Sequence, residues 1–184
     1  MRCFLSVDLD KNLENRVAEI QKKIEVLGTD VNFVKPENLH FTIKFLGQID
    51  KNEVEVIKKS LKICLKGESR FNIKICGIGY FGNPGHIRTL WLCIKEGENA
   101  LTKLIKNVNE NVKFGEVERT PHLTIGRVKY GEQRQILLDF ICNNKNVNIG
   151  EMIVNEVKLK VSTLTKNGPI YNDLEVFKLG CKNE

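Results

Sequence analysis

Two short segments of the chain carry the same pairing of a histidine with a threonine. The first is His40-Phe-Thr-Ile43 and the second is His122-Leu-Thr-Ile125. Both are rich in β-branched and apolar residues and are bounded by Pro or Gly, which predicts β-strands. Because residues two apart on a strand point to the same side, each strand would present an imidazole and a hydroxyl together while its other residues point into a core.

Two histidines that face each other across a cleft could share the work of phosphodiester hydrolysis. One would take a proton from the attacking water, and the other would give a proton to the leaving oxygen. Histidine suits both tasks because its ordinary pKa of about 6.5 leaves both protonation states available near neutrality. The hydroxyls of Thr42 and Thr124 could donate to phosphate oxygens. The sequence has no carboxylate cluster typical of a metal site, so we expect no metal and no cofactor.

Other uses of these histidines have to be weighed. A single histidine on a strand is more often a structural hydrogen-bonding residue than a catalyst, but two copies of one pattern at corresponding places favour a catalytic pair. A zinc site through His40 and His122 would need a third ligand, for which His86 is the candidate. A serine hydrolase is disfavoured because the sequence has no Gly-x-Ser-x-Gly segment.

The surrounding pattern predicts the elements that hold the first motif. Residues 3–9 alternate like a strand, and apolar residues follow helical spacing over 13–27. The first His-Thr strand is predicted over 39–46. Residues 50–53 form a capping-box start to a second helix, and a strand over 71–79 follows.

The same order of elements then begins again after a Gly/Pro-rich loop over 79–86. Strand, helix, His-Thr strand, helix and strand are predicted over 89–94, 101–108, 121–128, 133–143 and 152–163, and a last strand over 170–179 follows a Lys166-Asn-Gly168 turn. The repeat predicts two lobes, approximately residues 1–80 and 88–184, joined near 80–88 and related by a pseudo-two-fold axis. Such symmetry would place the two motifs on either side of one cleft.

Composition limits the class of protein. The 184 residues are 41% hydrophobic and 28% charged, which is ordinary for one globular domain spanning 1–184. The net charge of +6 favours an anionic partner such as phosphate or nucleic acid. The N-terminus has no apolar signal core and no segment is long enough for a membrane span. The six cysteines form no Cys-x-x-Cys pair, which favours free thiols in a cytoplasmic protein.

The two motifs, their spacing and the opening Met-Arg-Cys-Phe-Leu-Ser-Val-Asp resemble the 2H phosphoesterase superfamily. The matching branch is the RNA 2',3'-cyclic phosphodiesterases, historically called LigT or 2'-5' RNA ligases, and the resemblance runs essentially from end to end. It implies a bilobal α+β fold in which two pseudo-symmetric antiparallel sheets, flanked by helices, enclose an active-site cleft, with terminal segments free to exchange between lobes. It also implies hydrolysis of a terminal 2',3'-cyclic phosphate on RNA to a 2'-phosphate, without metal.

The resemblance also assigns roles to individual residues. His40 would be the proton donor to the departing 3'-oxygen, and His122 would be the base that activates water. Thr42 and Thr124 would bind the phosphate. The family's arginine matches Arg127 and its aromatic residue matches Phe45.

Arg127 and Phe45 present a geometric difficulty. Each lies five positions after its motif histidine, and an odd offset on a flat strand points a side chain away from the cleft. A strong twist or a bulge, which Gly126 would permit, is needed to bring Arg127 round. The two side chains could then sandwich the terminal base. Arg88, beside the predicted inter-lobe loop, is a further candidate for contact with RNA.

The sequence leaves rival functions open. The same site could run in the opposite direction, as a ligase that joins tRNA-half-like ends through a 2'-5' linkage. Alternatively, the histidines could bind a phosphate without catalysis, in an RNA-end-binding module. We expect a monomer, because the predicted cleft lies between lobes of one chain.

Overall fold

The structure, a computed structural model, describes residues 1–117, 120–129 and 133–180. The elements are β1 (Arg2–Asp8), α1 (Lys11–Glu25), β2 (Val31–Phe33), β3 (His40–Gln48), α2 (Lys51–Cys64), β4 (Phe71–Asn83), β5 (His86–Glu96), α3 (Glu98–Asn111), β6 (Leu123–Val128), α4 (Arg134–Asn143), β7 (Asn148–Val154), β8 (Glu156–Thr165) and β9 (Gly168–Lys178). A 3₁₀ turn, Pro36–Asn38, leads into β3. No helix in these ranges is both long enough and apolar enough to span a membrane.

The strands form one curled antiparallel sheet in the order β7-β4-β5-β6-β3-β1-β8-β9, with β2 paired to β6. We call β3, β1, β8 and β9 the first half-sheet, and β6, β5, β4 and β7 the second half-sheet. In the described part of the chain the halves are joined by one residue pair, Phe41 with Leu123. The predicted α+β class with antiparallel strands is confirmed, and the two expected sheets are two halves of one.

The elements occur in the predicted repeated order, but the half-sheets do not follow the chain's two halves. β4 pairs with β5 and β7, whereas β8 pairs with β1. The Gly/Pro-rich loop expected between lobes is instead a tight hairpin turn, because Asn83 pairs directly with His86. The strand predicted over 152–163 is two strands that meet at Asn155. Periodicity shows that a segment is extended, but it does not show which strand becomes its neighbour.

Side-chain caps fix the starts of two helices, and the sequence predicts the cap of α2. The Asp50 carboxylate accepts from the Glu53 backbone N–H at 2.9 Å, and the Glu53 side chain accepts from the Asp50 backbone N–H at 2.8 Å. This reciprocal pair is the expected capping box. Asp10 caps α1 by accepting from the Asn12 backbone N–H at 3.0 Å, and such caps typically stabilise by about 1 kcal/mol.

Burial separates the two sides of the motif strands. Phe41 and Ile43 on β3 and Leu123 and Ile125 on β6 are fully buried. The helices cover this side of the sheet: α1 packs against β6 and β7, and α3 packs against β3 and β5. The predicted assignment of the apolar motif residues to the core is therefore confirmed.

Replacing Gly79 with alanine should destabilise the second half-sheet. Gly79 pairs with Trp91 across β4 and β5, and a Cβ at Gly79 would lie 2.6 Å from Cζ2 of the Trp91 ring. Because the indole is packed by Phe81 and His122, we expect a loss of about 1–3 kcal/mol in the free energy of unfolding.

Urea unfolding followed by fluorescence would measure this loss, because Trp91 is the chain's one tryptophan. Gly180→Ala is the matched control, since a Cβ there would meet nothing closer than 3.7 Å. If Gly79→Ala left the urea midpoint of unfolding unchanged, the Trp91 indole would be able to move aside without cost, and the prediction would be wrong.

Candidate active site

Two bulges at equivalent positions shape the motif strands. On β3, Thr42 pairs with Ser6 whereas Lys44 pairs with Leu5, so Ile43 is an extra residue. On β6, Thr124 pairs with Trp91 whereas Gly126 pairs with Leu90, so Ile125 is the extra residue. In each motif the bulge follows the threonine directly. A bulge resets the alternation of side chains, which turns the residues beyond it to the opposite face.

The bulges resolve the geometric difficulty posed by Phe45 and Arg127. Both side chains line the same cavity as the two histidines. Lys44, which simple alternation would place beside His40 and Thr42, is instead 2% exposed. Its ammonium donates to Asn109 Oδ1 on α3 at 2.7 Å. The expected bulge on β6 is present, with Ile125 rather than Gly126 as the inserted residue.

Gly126 is not the inserted residue of the bulge, but it allows a close approach between two strands. A Cβ at this position would lie 2.5 Å from Cγ1 of Val31, so glycine lets β2 pair closely with β6. The carbonyl of Ile125 at the bulge accepts from the Gln21 side chain of α1 at 3.0 Å and from the Val34 backbone N–H at 3.0 Å. The Ile125 carbonyl oxygen, which the bulge removes from the β-sheet ladder, thus accepts two other hydrogen bonds.

A cavity of about 320 Å³ lies where the half-sheets meet. His40, Thr42, His122 and Thr124 all line it, together with Phe45 and Arg127. Arg88 does not belong to this group: it is exposed on β5 and is not part of the lining. The sequence expectation for Arg88 therefore has no geometric support.

Several lining residues escaped the sequence analysis because nothing in their own segments marks them. Tyr171 on β9 lines the cavity, as do Phe33 and Lys35 near β2 and Phe81 on β4. Tyr171 and Phe81 lie on strands far from the motifs in sequence, whereas Phe33 and Lys35 lie shortly before the first motif. Tyr171 reaches the site because β9 pairs with β8 and β8 pairs with β1, and Phe81 reaches it because β4 pairs with β5. Phe33 reaches it because β2 pairs with β6.

Both histidines are oriented by the same kind of hydrogen bond. Nδ1 of His40 lies 2.7 Å from the carbonyl oxygen of Asn38, and Nδ1 of His122 lies 2.8 Å from that of Thr120. A carbonyl oxygen can only accept, so each Nδ1 carries a hydrogen and donates. This leaves Nε2 of both rings free to take or give a proton at the substrate.

The surroundings of the two imidazoles differ. Phe81 packs edge-on against His122 with ring centroids 4.7 Å apart, and Trp91 lies 6.2 Å away. His40 contacts Phe4 at 5.0 Å and the edge of Tyr171 at 5.6 Å. Both rings are thus held by aromatic neighbours, and a cluster of charged residues lies behind His40.

That charged cluster centres on Asp8, which pairs with His40 across β1 and β3. Its carboxylate lies 2.9 Å from the ammonium groups of both Lys158 and Lys160. Lys160 also lies 2.7 Å from Asp173 on β9 and is only 7% exposed. Strand register gives Ser6 and Trp91 equivalent places, opposite the two motif threonines. Polar groups in one half-sheet therefore replace aromatic rings in the other.

Burial and charge act together on the pKa of His40. Burial lowers this pKa below its ordinary value, and the Lys160 and His122 charges add to the effect. The Asn38 carbonyl and the Asp8 carboxylate oppose it. Burial would raise the pKa of Asp8 itself, but hydrogen bonds from Lys160 and Lys158 hold it below its ordinary value.

The described residues offer no ligand set for a metal. No three or more histidine, cysteine, aspartate or glutamate side chains among them cluster suitably, and the described lining of the cavity contains no carboxylate or thiol. His86, the candidate third zinc ligand, is exposed on β5 outside the cavity. Cysteines 3, 64, 76, 93 and 142 are free thiols, while Cys181 lies outside the described residues.

Comparison with known proteins gives consistent sequence matches. Residues 7–91 match the model of the LigT like Phosphoesterase family. An RNA 2',3'-cyclic phosphodiesterase of Methanothermobacter thermautotrophicus is 43% identical, and the match covers 97% of this chain and 99% of that protein. One of Methanocaldococcus jannaschii is 39% identical over the same shares of the two chains.

Solved structures agree in fold. A crystal structure of a Thermus thermophilus protein superposes with a TM-score of 0.81 at 25% identity over 100% of both chains. The crystal structure of Escherichia coli LigT complexed with ATP gives a TM-score of 0.73 at 18% identity, covering 97% of this chain and 98% of that one. The latter identity supports the shared fold alone.

His40 should titrate below pH 6.5, the ordinary midpoint of histidine, in the free protein. Burial disfavours its charged form, and the Asp8 carboxylate partly offsets this. Asp8→Asn should therefore lower the midpoint further. NMR titration of the ring protons would measure this, and the chain's three histidines keep assignment simple.

Asp139→Asn, at an exposed carboxylate on α4, is the matched control and should leave the midpoint in place. If the midpoint of His40 rose on Asp8→Asn, or stood above 6.5 in the native protein, this account of its surroundings would be wrong.

Proposed function

Because this chain belongs to the LigT-like phosphoesterase family, as its near full-length match to RNA 2',3'-cyclic phosphodiesterases shows, we propose that it hydrolyses 2',3'-cyclic phosphate ends of RNA. The product would be a 2'-phosphomonoester with a free 3'-hydroxyl. One observation carries the proposal: two imidazoles with free Nε2 atoms and two threonine hydroxyls line one cavity.

The bond changes balance with two proton transfers. Nε2 of His122 takes a proton from water as the water oxygen attacks phosphorus. The bond between phosphorus and the 3'-oxygen breaks, and His40 gives its proton to that oxygen. His122 is left protonated and His40 neutral, and exchange with solvent restores both. Thr42 and Thr124 would donate hydrogen bonds to the non-bridging oxygens and hold phosphorus between the rings.

Within the charged surroundings of His40, the Asp8 carboxylate supports the assignment of the donor role, whereas the charge of Lys160 opposes it. A proton donor must be protonated before the reaction, and the Asp8 carboxylate favours that form of His40. Burial favours the neutral form in the empty site, but a bound phosphate brings its own negative charge. An opposite charge nearby stabilises an imidazolium. Substrate binding would therefore favour the protonated form of His40.

We propose that the reaction needs no metal. The polar lining that the structure describes consists of imidazole, hydroxyl, amide and basic groups, whereas the ions common in phosphoryl chemistry prefer carboxylate oxygens. The cavity is built from one chain, so a monomer would suffice. Free cysteines fit the reducing cytoplasm as the place where it acts.

The terminal base would lie between Phe45 and Arg127. Both line the cavity, one from each motif strand, at matching places beyond the two bulges. An aromatic face and a guanidinium plane both stack on any base. Recognition of this kind tolerates every sequence, as an enzyme acting on varied RNA ends requires.

Replacing either catalytic histidine should strongly reduce metal-free turnover. We expect His40→Ala and His122→Ala each to lower kcat by roughly 10²–10⁴-fold, the usual contribution of one acid or base group. The substrate would be an oligoribonucleotide ending in a 2',3'-cyclic phosphate, incubated in excess EDTA. The position of the phosphate in the product would be read by NMR.

His86→Ala is the matched control, because this histidine is exposed outside the cavity and should not alter turnover. A 2'-phosphate product made by native protein and by this control alone would support the mechanism. Joined 2'-5' products from tRNA-half-like ends would favour a ligase, and binding without turnover would favour an RNA-end-binding module.

Phe45→Ala and Arg127→Ala should raise KM with little change in kcat. Loss of a stacking partner costs about 1–3 kcal/mol per base, or roughly 5- to 150-fold in affinity. An abasic ribose 2',3'-cyclic phosphate should be hydrolysed equally well by native protein and both variants, because it has no base to stack.

Ile136→Ala is a control for Phe45→Ala, since the two side chains are 42% and 41% exposed and Ile136 lies on α4 away from the cavity. Equal losses on the abasic and the normal substrate would contradict base stacking and assign the two side chains to the phosphate or to the fold.

A further inference from the structure

A second cavity of about 550 Å³ continues from the first. The two cavities share His40, Phe45, Arg127, Pro169 and Tyr171 as a common wall. The second cavity lies against the first half-sheet and contains neither threonine of the motifs. It is thus an extension of the catalytic cleft past His40, without a second set of phosphate-cleaving groups.

Arg2 contributes a cationic side chain to the wall of this extension. Arg2 and Phe4 both line it, and they share one face of β1 because they are two residues apart. Phe4 in turn packs against His40 at 5.0 Å. Arg2 therefore lies beyond Phe4 on the same face of β1, roughly 7 Å from Phe4 by the rise of a strand.

Positive charge dominates the extension. The charges of Arg127 and Arg2 both act on the Tyr171 hydroxyl, whose pKa burial raises and these charges lower. Among the residues that the structure describes, neither guanidinium forms an ion pair with a carboxylate. Glu116 is the one acidic residue in the described lining, and it is exposed.

Apolar and aromatic side chains form a further part of the extension. Phe4, Phe45, Leu164 and Tyr171 contribute to its walls, and Leu164 is 71% exposed. Apolar and aromatic faces beside arginines suit single-stranded nucleic acid, because bases stack on the apolar faces and phosphates bind the cations.

We propose that this extension binds the nucleotide upstream of the RNA end, with Arg2 on the phosphodiester that links it to the terminal nucleotide. The proposal rests on the proposed function for the place of the terminal phosphate. With the cyclic phosphate between the histidines and the terminal base between Phe45 and Arg127, the strand leaves past Tyr171 into the extension. The preferred substrates are then oligonucleotides rather than cyclic mononucleotides.

The test compares a trinucleotide ending in a 2',3'-cyclic phosphate with the corresponding 2',3'-cyclic mononucleotide. Arg2→Ala should lower the ratio of kcat/KM for the trinucleotide to that for the mononucleotide by about tenfold, the effect of one hydrogen bond to a charged group. Arg2→Lys should retain part of the ratio. The slope of log KM against log salt for the trinucleotide should fall by about 0.7, the loss of one phosphate contact.

Arg16→Ala, at an exposed arginine of α1 outside both cavities, is the matched control and should keep the native ratio. An unchanged ratio for Arg2→Ala would overturn the proposal, whether activity on the two substrates fell equally or not at all.

Equilibrium binding separates this proposal from the proposed function. If native protein hydrolysed neither substrate, the proposed function would be wrong, and competition binding of the two matching 2'-phosphates would still decide the question. A preference for the trinucleotide that is lost in Arg2→Ala supports the extension as a strand-binding site. Equal affinity for both lengths rejects it.

Discussion

The contact of β3 with β6 at Phe41 and Leu123 is the constraint on which the site depends. Both side chains are fully buried, and in the described part of the chain they form the one pair that joins the half-sheets. The motif residues on either side of them point away from the core. Two strands that touch at one pair can diverge on each side of it, and the cavity occupies the space that this divergence leaves.

The bulges at Ile43 and Ile125 turn this junction into a site. Each lets a threonine and the residue three positions later face the same cavity, as Phe45 and Arg127 do. Each is also braced from the helical side, since Gln21 of α1 bonds the Ile125 carbonyl and Asn109 of α3 accepts from Lys44. A helix that follows a strand of one half-sheet, α1 after β1 and α3 after β5, thus supports the motif strand of the other half-sheet.

The two histidines occupy pseudo-symmetric positions with equivalent hydrogen bonds, but their surroundings differ, and this difference suits one to act as an acid and the other as a base. The Nδ1 hydrogen bonds of His40 and His122 are equivalent and differ by 0.1 Å in the distances 2.7 and 2.8 Å. Behind the rings, however, the Asp8–Lys160 cluster faces one histidine and the Phe81–Trp91 pair faces the other. Catalysis by an acid and a base requires two different environments, and outer strands β8 and β4 supply them.

The sequence by itself determined the two motif strands, the side to which His40, Thr42, His122 and Thr124 point, the capping box at Asp50 and the repeated order of elements. These features are local, because strand alternation and helix capping act within a few residues. Tertiary structure alone decided that β8 and β9 pair beside β1, that Pro84 lies in a hairpin rather than between lobes, and that Tyr171, Arg2 and Lys160 reach the site. Such contacts join residues far apart in the chain, and periodicity within one segment carries no information about which distant strand becomes its partner.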